Sequence, residues 1–460
     1  MAFSATEQYL LELINRARLD PASEAARYGL ALNDGLPEGT IGTEAYEPLA
    51  PSTQLETSAE SHSTWMLEND TFSHTGEDDS TAGDRISTAG YVFGGSWSWR
   101  ENLAWTGTTG PVDLTDAIET HHEGLYRSAG HRENRFADNI REVGIAQVVG
   151  DFTYEGTTYN SSMTTLNFAK SGTDVFITGV AFADADSDIF YGVGEGTAGI
   201  TVTAAGASAT TGAAGGYGLS VAPTDDLLVQ VSTQIDTLAE LRVDAGDGNV
   251  KLDVVADVDG NYSLLLSGNA TLVSGIPNAM LLGIGDLNLT GSGAANQLTG
   301  NDGDNILTGG GGDDILSGAG GTDTLYGGTG NDLLQGGGGR ALAFGDEAEN
   351  MDMLIGGAGD DQLEGQSGAD WLEGGEGNDV LTGGGGRDTF VYHSGTDRIT
   401  DFVDNVDLIQ IDYDGTIAGV INLGIVTEAG DAEFDFGGGD VLILEGVTDL
   451  NALFNDMVII

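Results

Sequence analysis

The sequence has no cysteine among its 460 residues. No disulfide can brace it, so rigidity outside a reducing cell must come from another source. Basic residues are scarce: 15 Lys and Arg stand against 73 Asp and Glu, a formal net charge of −58. That balance argues against nucleic acid as a partner, because its phosphates require Lys and Arg. It also argues against anionic membrane surfaces. No run of about 18 consecutive apolar residues occurs, so no transmembrane helix is expected. The opening MAFSATEQYLLELINRARLD lacks the basic start and apolar run of a secretory signal peptide. Leu10, Leu11, Ile14 and Ala17 instead recur at helical spacing and predict a packed helix. The acidic surplus is not a mark of disorder, since 40% of residues are hydrophobic and the acids recur at regular positions.

What the chain has in quantity is glycine, 74 residues, and its character changes three times along the length. Residues 1–170 read as mixed helix and strand and hold four of the five tryptophans and five of the six histidines. Residues 174–265 carry short β-runs such as VFITGVAF, GITVTA and LLVQVST between Gly-rich turns, the pattern of a β-sandwich. A nine-residue repeat fills residues 283–391. Residues 392–460 are short strands with an apolar end. The fold class expected is multidomain α+β.

The repeat has the form of GGTGNDLLQ, Gly327 to Gln335. Units begin at Gly291, Gly300, Gly309, Gly318, Gly327 and Gly336, and again at Gly356, Gly365, Gly374 and Gly383. Glycines permit a tight turn whose carbonyls face inward. The acid at position six places a hard anionic oxygen beside them, the mixture that Ca²⁺ takes as ligands. The leucine at position eight gives each minimal strand one inward side chain, so only stacking of units makes a core. This pattern resembles the RTX, or hemolysin-type, calcium-binding repeat. The resemblance implies a parallel β-roll, two units per turn, with Ca²⁺ held between second-neighbour turns. The implied calcium ligands include Asp314, Asp332, Asp352, Asp370 and Asp388 on one edge and Asp323, Asp361 and Asp379 on the other. Asp332 and Asp352 are twenty apart, two more than two periods, and Ala341 stands where an aspartate belongs. The second edge is therefore expected to have weak or missing sites around Ala341. The tail GGGGRDTFVYHSGTDRITDF is similar to the β-rich cap that closes such rolls. FNDMVII, with Asp456 before four apolar residues, resembles the uncleaved C-terminal signal of type I secretion. These resemblances imply an extracellular protein that engages the type I secretion machinery. His393 is expected to be structural within the cap.

DADSDIFYGVGE places Asp184, Asp186, Asp188, Phe190, Gly192 and Glu195 at positions 1, 3, 5, 7, 9 and 12, those of EF-hand calcium ligands. Position 6 is Ile189 rather than glycine, and strands flank the loop. With GITVTA and GGYGLSV, this stretch is similar to Cna-B or SdrD-B β-sandwich modules, which implies a calcium loop.

LLELINRARLDPASEA, HSTWMLENDTFSHTG, DRISTAGY, ENLAW, SAGHRENR and REVGIA resemble, in order and spacing, the CAP superfamily of SCP-like, cysteine-rich secretory and pathogenesis-related proteins. The resemblance implies an α-β-α sandwich with two histidines and two glutamates in one cleft. His74, His131 and Glu101 match three of these. Glu123 or Glu142 matches the fourth. Imidazole with carboxylate suits Zn²⁺ at His74, Glu101 and His131, a structural His–Glu pairing, or a general base. His62 reads as a satisfied core histidine. Of His121 and His122, one is expected to be buried and one exposed. No Ser or Cys nucleophile signature is present. The reading is a secreted calcium-binding protein whose cleft binds a divalent metal or a small or lipidic ligand. The alternatives are a hydrolase using a metal-bound water and an extracellular adhesion or matrix protein.

Overall fold

The computed structural model describes residues 3–246, 248–338 and 351–460. They divide into two units, Met1–Gly268 and Asn269–Ile460.

In the first unit, the long strand Thr157–Ser171 decides the architecture. It pairs antiparallel with both Glu142–Tyr154 and Trp97–Thr108, so it lies inside a four-stranded sheet whose other edge is Ala50–Pro51. Residues 161–169 are all buried, although neighbours along a strand face opposite sides. Both faces must therefore be covered. Leu166 and Phe168 pack with Leu10, Leu11 and Ile14 of the helix Ala5–Leu19 and with Ile118 and Leu125 of the helix Leu114–Arg127. On the other face Met163 meets Met66, and Ala169 meets Leu55, both from the helix Thr53–Glu68. Ser63 and Thr165 share a buried hydroxyl hydrogen bond of 2.8 Å on that face. Gly144 lets the helix approach: a Cβ there would lie 2.0 Å from the Leu55 carbonyl carbon. The glycine of REVG is thus a packing requirement.

Eight further strands between Val175 and Leu266 complete this unit. Val175–Ala183 pairs with Gly216–Val221 and with Val250–Ala256, which also pairs with Tyr262–Leu266. Thr201–Ala204 pairs with Ala207–Thr210 and Leu227–Ser232, which pairs with Thr237–Val243. Buried polar contacts cross the expected boundary at 170–174. Lys251 Nζ lies 2.8 Å from Glu12 of the first helix and also pairs with Asp253. Asn249 Nδ2 donates to the carbonyls of Pro48 and Arg141, both at 2.8 Å.

In the second unit, successive repeats alternate between two sets of parallel strands. Leu298, Leu316, Leu334, Leu363 and Leu381 align in one set, and Leu289, Leu307, Leu325, Leu354, Leu372 and Phe390 in the other. Every one of these side chains is at most 1% exposed, so the stacked position-eight residues form the core. Beyond the repeats, Leu408–Ile411 continues one set and pairs with the terminal strand Met457–Ile459. No helix among the described residues is long and apolar enough to cross a membrane.

Candidate functional sites

Four elements of the first unit bring side chains to one cleft. The segment after the helix Thr53–Glu68 carries His74, and the strand Trp97–Thr108 carries Glu101. The helix Ala82–Thr88 supplies Arg85, and the helix Ala129–Arg135 supplies His131. Glu101 is 7% exposed. Its Oε1 lies 2.9 Å from His74 Nδ1, and its Oε2 accepts from Arg85 Nη2 at 2.5 Å. A carboxylate held by an arginine can only accept, so Nδ1 of His74 donates to it. The His74 side chain is 61% exposed and borders a cavity of about 430 Å³ with Thr75, Trp99, Arg100 and Asn134. Arg85 also donates to the His74 carbonyl at 3.2 Å, which fixes the backbone behind the imidazole. Asn102 Nδ2 donates to the His131 carbonyl at 2.9 Å, and Asn134 Nδ2 donates to Asn102 Oδ1 at 2.8 Å. Burial, and then the charge of nearby His74, hold the His131 imidazole below its usual range. The cleft therefore holds an imidazole oriented by Glu101, with Arg100 on its wall; His131 does not border its cavity.

Both oxygens of Glu101 are engaged, so His74, Glu101 and His131 do not fit a three-ligand zinc set as placed. Among the described residues, the group of His, Asp or Glu atoms gathered within 4.8 Å of one another is Asp184, Asp186 and Asp188. Neither expected fourth residue borders the cavity. Glu123 accepts from Arg127 at 2.7 Å on an exposed helix face. Glu142 accepts from the Tyr91 hydroxyl at 2.5 Å, and burial raises its carboxyl. Arg85 and Asn134 were missed by sequence reading; no local pattern points an arginine sixteen residues away at Glu101. His131→Ala should cost at most about 2 kcal/mol in chemical denaturation, the range for a lost hydrogen-bonded group. A much larger loss would make His131 a structural residue.

The other histidines differ in part from expectation. His121 and His122 are both buried, at 2% and 0% exposure, where one was expected to face solvent. The helix Leu114–Arg127 meets the sheet on one side and the helix Pro21–Arg27 on another, so adjacent positions both find partners. His121 Nδ1 meets Thr164 Oγ1 at 2.7 Å, and His122 Nε2 meets Glu24 Oε1 at 2.8 Å. His62 is buried, with Nε2 2.9 Å from the Ser73 carbonyl. His393 Nε2 lies 3.2 Å from Glu373.

In the repeats, the aspartates form two ladders. Asp314 N–H donates to Asp332 Oδ1, Asp332 to Asp361, Asp361 to Asp379 and Asp379 to Asp397. The other ladder runs Asn305, Asp323, Asp352, Asp370, Asp388, Asp407. The expected edges are thereby corrected from Asp352 onward: Asp352 follows Asp323, and Asp361 follows Asp332. Partners are 29 residues apart across the interruption, 19 apart between Asp388 and Asp407, and 18 apart elsewhere. Alternation between the two strand sets is a packing constraint, so the inserted residues leave it unbroken. A Cβ on Gly336 would meet Asp352 Oδ2 at 2.5 Å, so Asp352 completes the unit that Gly336 begins. The expected weak site therefore has its aspartate. Ala341 itself lies outside the described residues.

The ladder residues fit calcium. Oδ1 of each accepts a backbone bond, while Oδ2 of Asp314, Asp323, Asp332, Asp361, Asp370, Asp379 and Asp397 is buried without a partner. Buried carboxylate oxygens demand a counter-ion or a proton. Backbone carbonyls stand beside them: a Cβ on Gly327 would lie 2.4 Å from Asp332 Oδ2 and 2.6 Å from the Gly356 carbonyl oxygen. Gly328 adopts φ 115°, a conformation that side chains rarely allow. Asp397 and Asp407 extend the ladders past the repeat pattern and were not foreseen.

The loop after Val175–Ala183 brings Asp184, Asp186 and Asp188 together. Asp184 accepts from the backbone of Asp188 and Ile189, both at 3.2 Å. Glu195 folds back, accepting from Ala185 at 3.0 Å and Gly192 at 2.6 Å. Ile189 takes φ 59°, the left-handed turn an EF-hand reserves for glycine at this position. A β-branched residue there is strained.

Comparison with known proteins places names beside these sites. The model of the cysteine-rich secretory protein family (CAP) matches residues 11–163. That of the RTX calcium-binding nonapeptide repeat matches 290–325, 317–340, 350–379 and 364–399. Among solved structures, an extracellular protein containing an SCP domain from Bacillus anthracis is 22% identical, over 36% of this chain and 40% of that one, at a TM-score of 0.23. Extracellular lipase LipA from Serratia marcescens is 18% identical, over 39% of this chain and 40% of that one, at a TM-score of 0.19. This chain spans well under two thirds of either structure. No curated protein matches. Residues 11–163 are thus a CAP domain and the stretches between 290 and 399 are RTX repeats, which makes this a calcium-binding protein.

Proposed function

We propose that this is a secreted protein whose C-terminal unit folds on calcium after export and whose CAP cleft binds a small ligand. The row of buried, unpartnered Oδ2 oxygens carries the first half of the reading. Calcium is scarce in the cytosol and plentiful outside, so ladders of this kind favour an extended chain before export and a folded one after it. The C-terminal FNDMVII, with Asp456, is the segment we assign to recognition by a type I exporter. Deleting residues from about 392 onward should leave the protein inside a cell that carries such an exporter. Normal export of the truncated chain would rule the assignment out.

For the cleft, the exposed imidazole of His74 supports capture of a hydrogen-bonding or metal-bearing ligand, with Glu101 and Arg85 as positioning groups. Hydrolysis is the second reading, since an imidazole oriented by a carboxylate suits a general base.

The strands between Val175 and Leu266 we read as a Cna-B or SdrD-B-like sandwich whose Asp184 loop takes calcium. Saturating such a loop at a hundred times its Kd should raise the melting temperature of residues 1–268 by roughly 5–10 °C. Asp186→Ala should abolish that rise. Identical melting in calcium and in chelator would reduce the loop to an acidic turn.

A further inference from the structure

The chain carries 73 acidic residues against 15 basic ones, yet the walls of the His74 cavity have the opposite balance. One acid, Glu101, lines that space of about 430 Å³. Glu101 is buried, and both its oxygens are taken, by His74 Nδ1 and Arg85 Nη2. The charge of Arg85 offsets its own. The other charged wall residue is Arg100. Its guanidinium touches two neutral amide oxygens, Nη1 to Asn134 Oδ1 at 3.4 Å and Nη2 to Asn139 Oδ1 at 3.3 Å. Both contacts exceed the usual range of about 2.7–3.2 Å and are weak. Among the described residues no carboxylate pairs with Arg100. Asn134 lines the same cavity, so the guanidinium sits where the strand Trp97–Thr108 and the helix Ala129–Arg135 meet at that wall.

Trp99 supplies the apolar part. It is 37% exposed and lines the cavity. Its Nε1 edge packs on Gly83, where a Cβ would lie 2.7 Å away, so the indole is held against the helix Ala82–Thr88. These groups select a ligand. Arg100 repels a cation, and a neutral solute leaves its charge unanswered. One guanidinium matches one carboxylate, a planar fork against two oxygens. An aromatic or aliphatic body on that carboxylate would cover the exposed indole face. The volume is within the usual range for small-molecule sites.

We propose that the ligand of the His74 cavity is a small organic carboxylate, its oxygens on the Arg100 guanidinium and its apolar body against Trp99. The proposal rests on the reading of this cleft as a small-ligand site and gives the ligand its chemical class.

The test is saturation-transfer NMR and calorimetry on the full chain in calcium. The probes are acetate, benzoate, octanoate and indole-3-acetate, with benzamide, benzamidine and inorganic sulfate for comparison. At least one carboxylate with an apolar body should bind, more tightly than acetate, benzamide, benzamidine or sulfate. Arg100→Gln should weaken that binding roughly tenfold to a hundredfold, the range for hydrogen bonds to a charged group. Arg100→Lys keeps the charge without the fork and should recover part of the loss. If the Arg100 variants do not fold, Thr75→Trp serves instead. Thr75 is an exposed wall residue, so bulk there should block the carboxylate with the melting temperature unchanged. Binding of benzamide, benzamidine or sulfate in preference to every carboxylate would overturn the assignment and leave the small-ligand cleft standing. No binding by any probe would count against both. Carboxylate binding that survives Arg100→Gln or Thr75→Trp would put the anion elsewhere and overturn the site.

Discussion

In chelator at neutral pH, residues 269–460 should lack β-structure, and they should gain it steeply and cooperatively as calcium is added. The ladders make this the larger of two opposing terms. Hydrogen-bonded neighbours such as Asp314 and Asp332, or Asp352 and Asp370, sit on adjacent parallel strands. Adjacent strands are about 4.8 Å apart, and two unit charges at that separation repel by about 3 kcal/mol at an effective dielectric of about 20. Against this, each nine-residue unit buries one leucine or phenylalanine, worth about 1.5–3 kcal/mol. Repulsion therefore matches or exceeds the apolar gain, before any cost of ordering the chain. Calcium binds the folded ladders and not the dispersed chain, so it stabilises by mass action. Circular dichroism would follow the change, and Trp371 gives a second readout, since it is the only tryptophan of this fragment. Asp370→Ala should move the midpoint to higher calcium. A fragment already fully β-structured in excess chelator at neutral pH would refute the coupling.

Acid should replace calcium. Burial, more than any other factor, pushes the ladder carboxyls up: Asp314, Asp352 and Asp388 to about 6, Asp323, Asp361 and Asp370 to about 7, and Asp397 to about 8. In the unfolded chain the same groups titrate near 3.9. The folded state thus binds protons more tightly, and stability falls with rising pH wherever the folded state holds more protons than the unfolded one. The calcium-free roll should be most stable below about pH 4, and should lose that stability as pH rises through 6 to 8. Lowering the pH of the chelated fragment from about 8 to about 5 should restore β-structure. Asn305 already puts a neutral side chain at a ladder position, its backbone N–H donating to Asp323 Oδ1 at 2.8 Å. Asp370→Asn should accordingly raise the melting temperature in chelator while weakening the response to calcium. If acid leaves the chelated fragment disordered, or Asp370→Asn lowers its stability without calcium, the ladder charges are not what opposes folding.

Much of this was legible because it is local. Gly327, Gly328, Asp332 and Leu334 form one turn and one strand within eight residues, and each residue type answers a demand made by its immediate neighbours. Leu10, Leu11, Ile14 and Ala17 announced their helix for the same reason. The Asp184 loop was legible by spacing, yet its backbone was not, because nothing nearby tells Ile189 to adopt the conformation expected of glycine.

By itself the sequence determined the repeat and its calcium chemistry, and it excluded disulfides. Only the tertiary structure decided which residues meet. It gave Asp352 and Asp361 their ladders, because strand alternation is set by stacking and is indifferent to the length of the chain between strands. It buried both His121 and His122, because one meets Thr164 of the sheet and the other Glu24 of a neighbouring helix. It committed both oxygens of Glu101, to His74 and to Arg85, because a buried carboxylate takes whatever donors the packed helices carry to it.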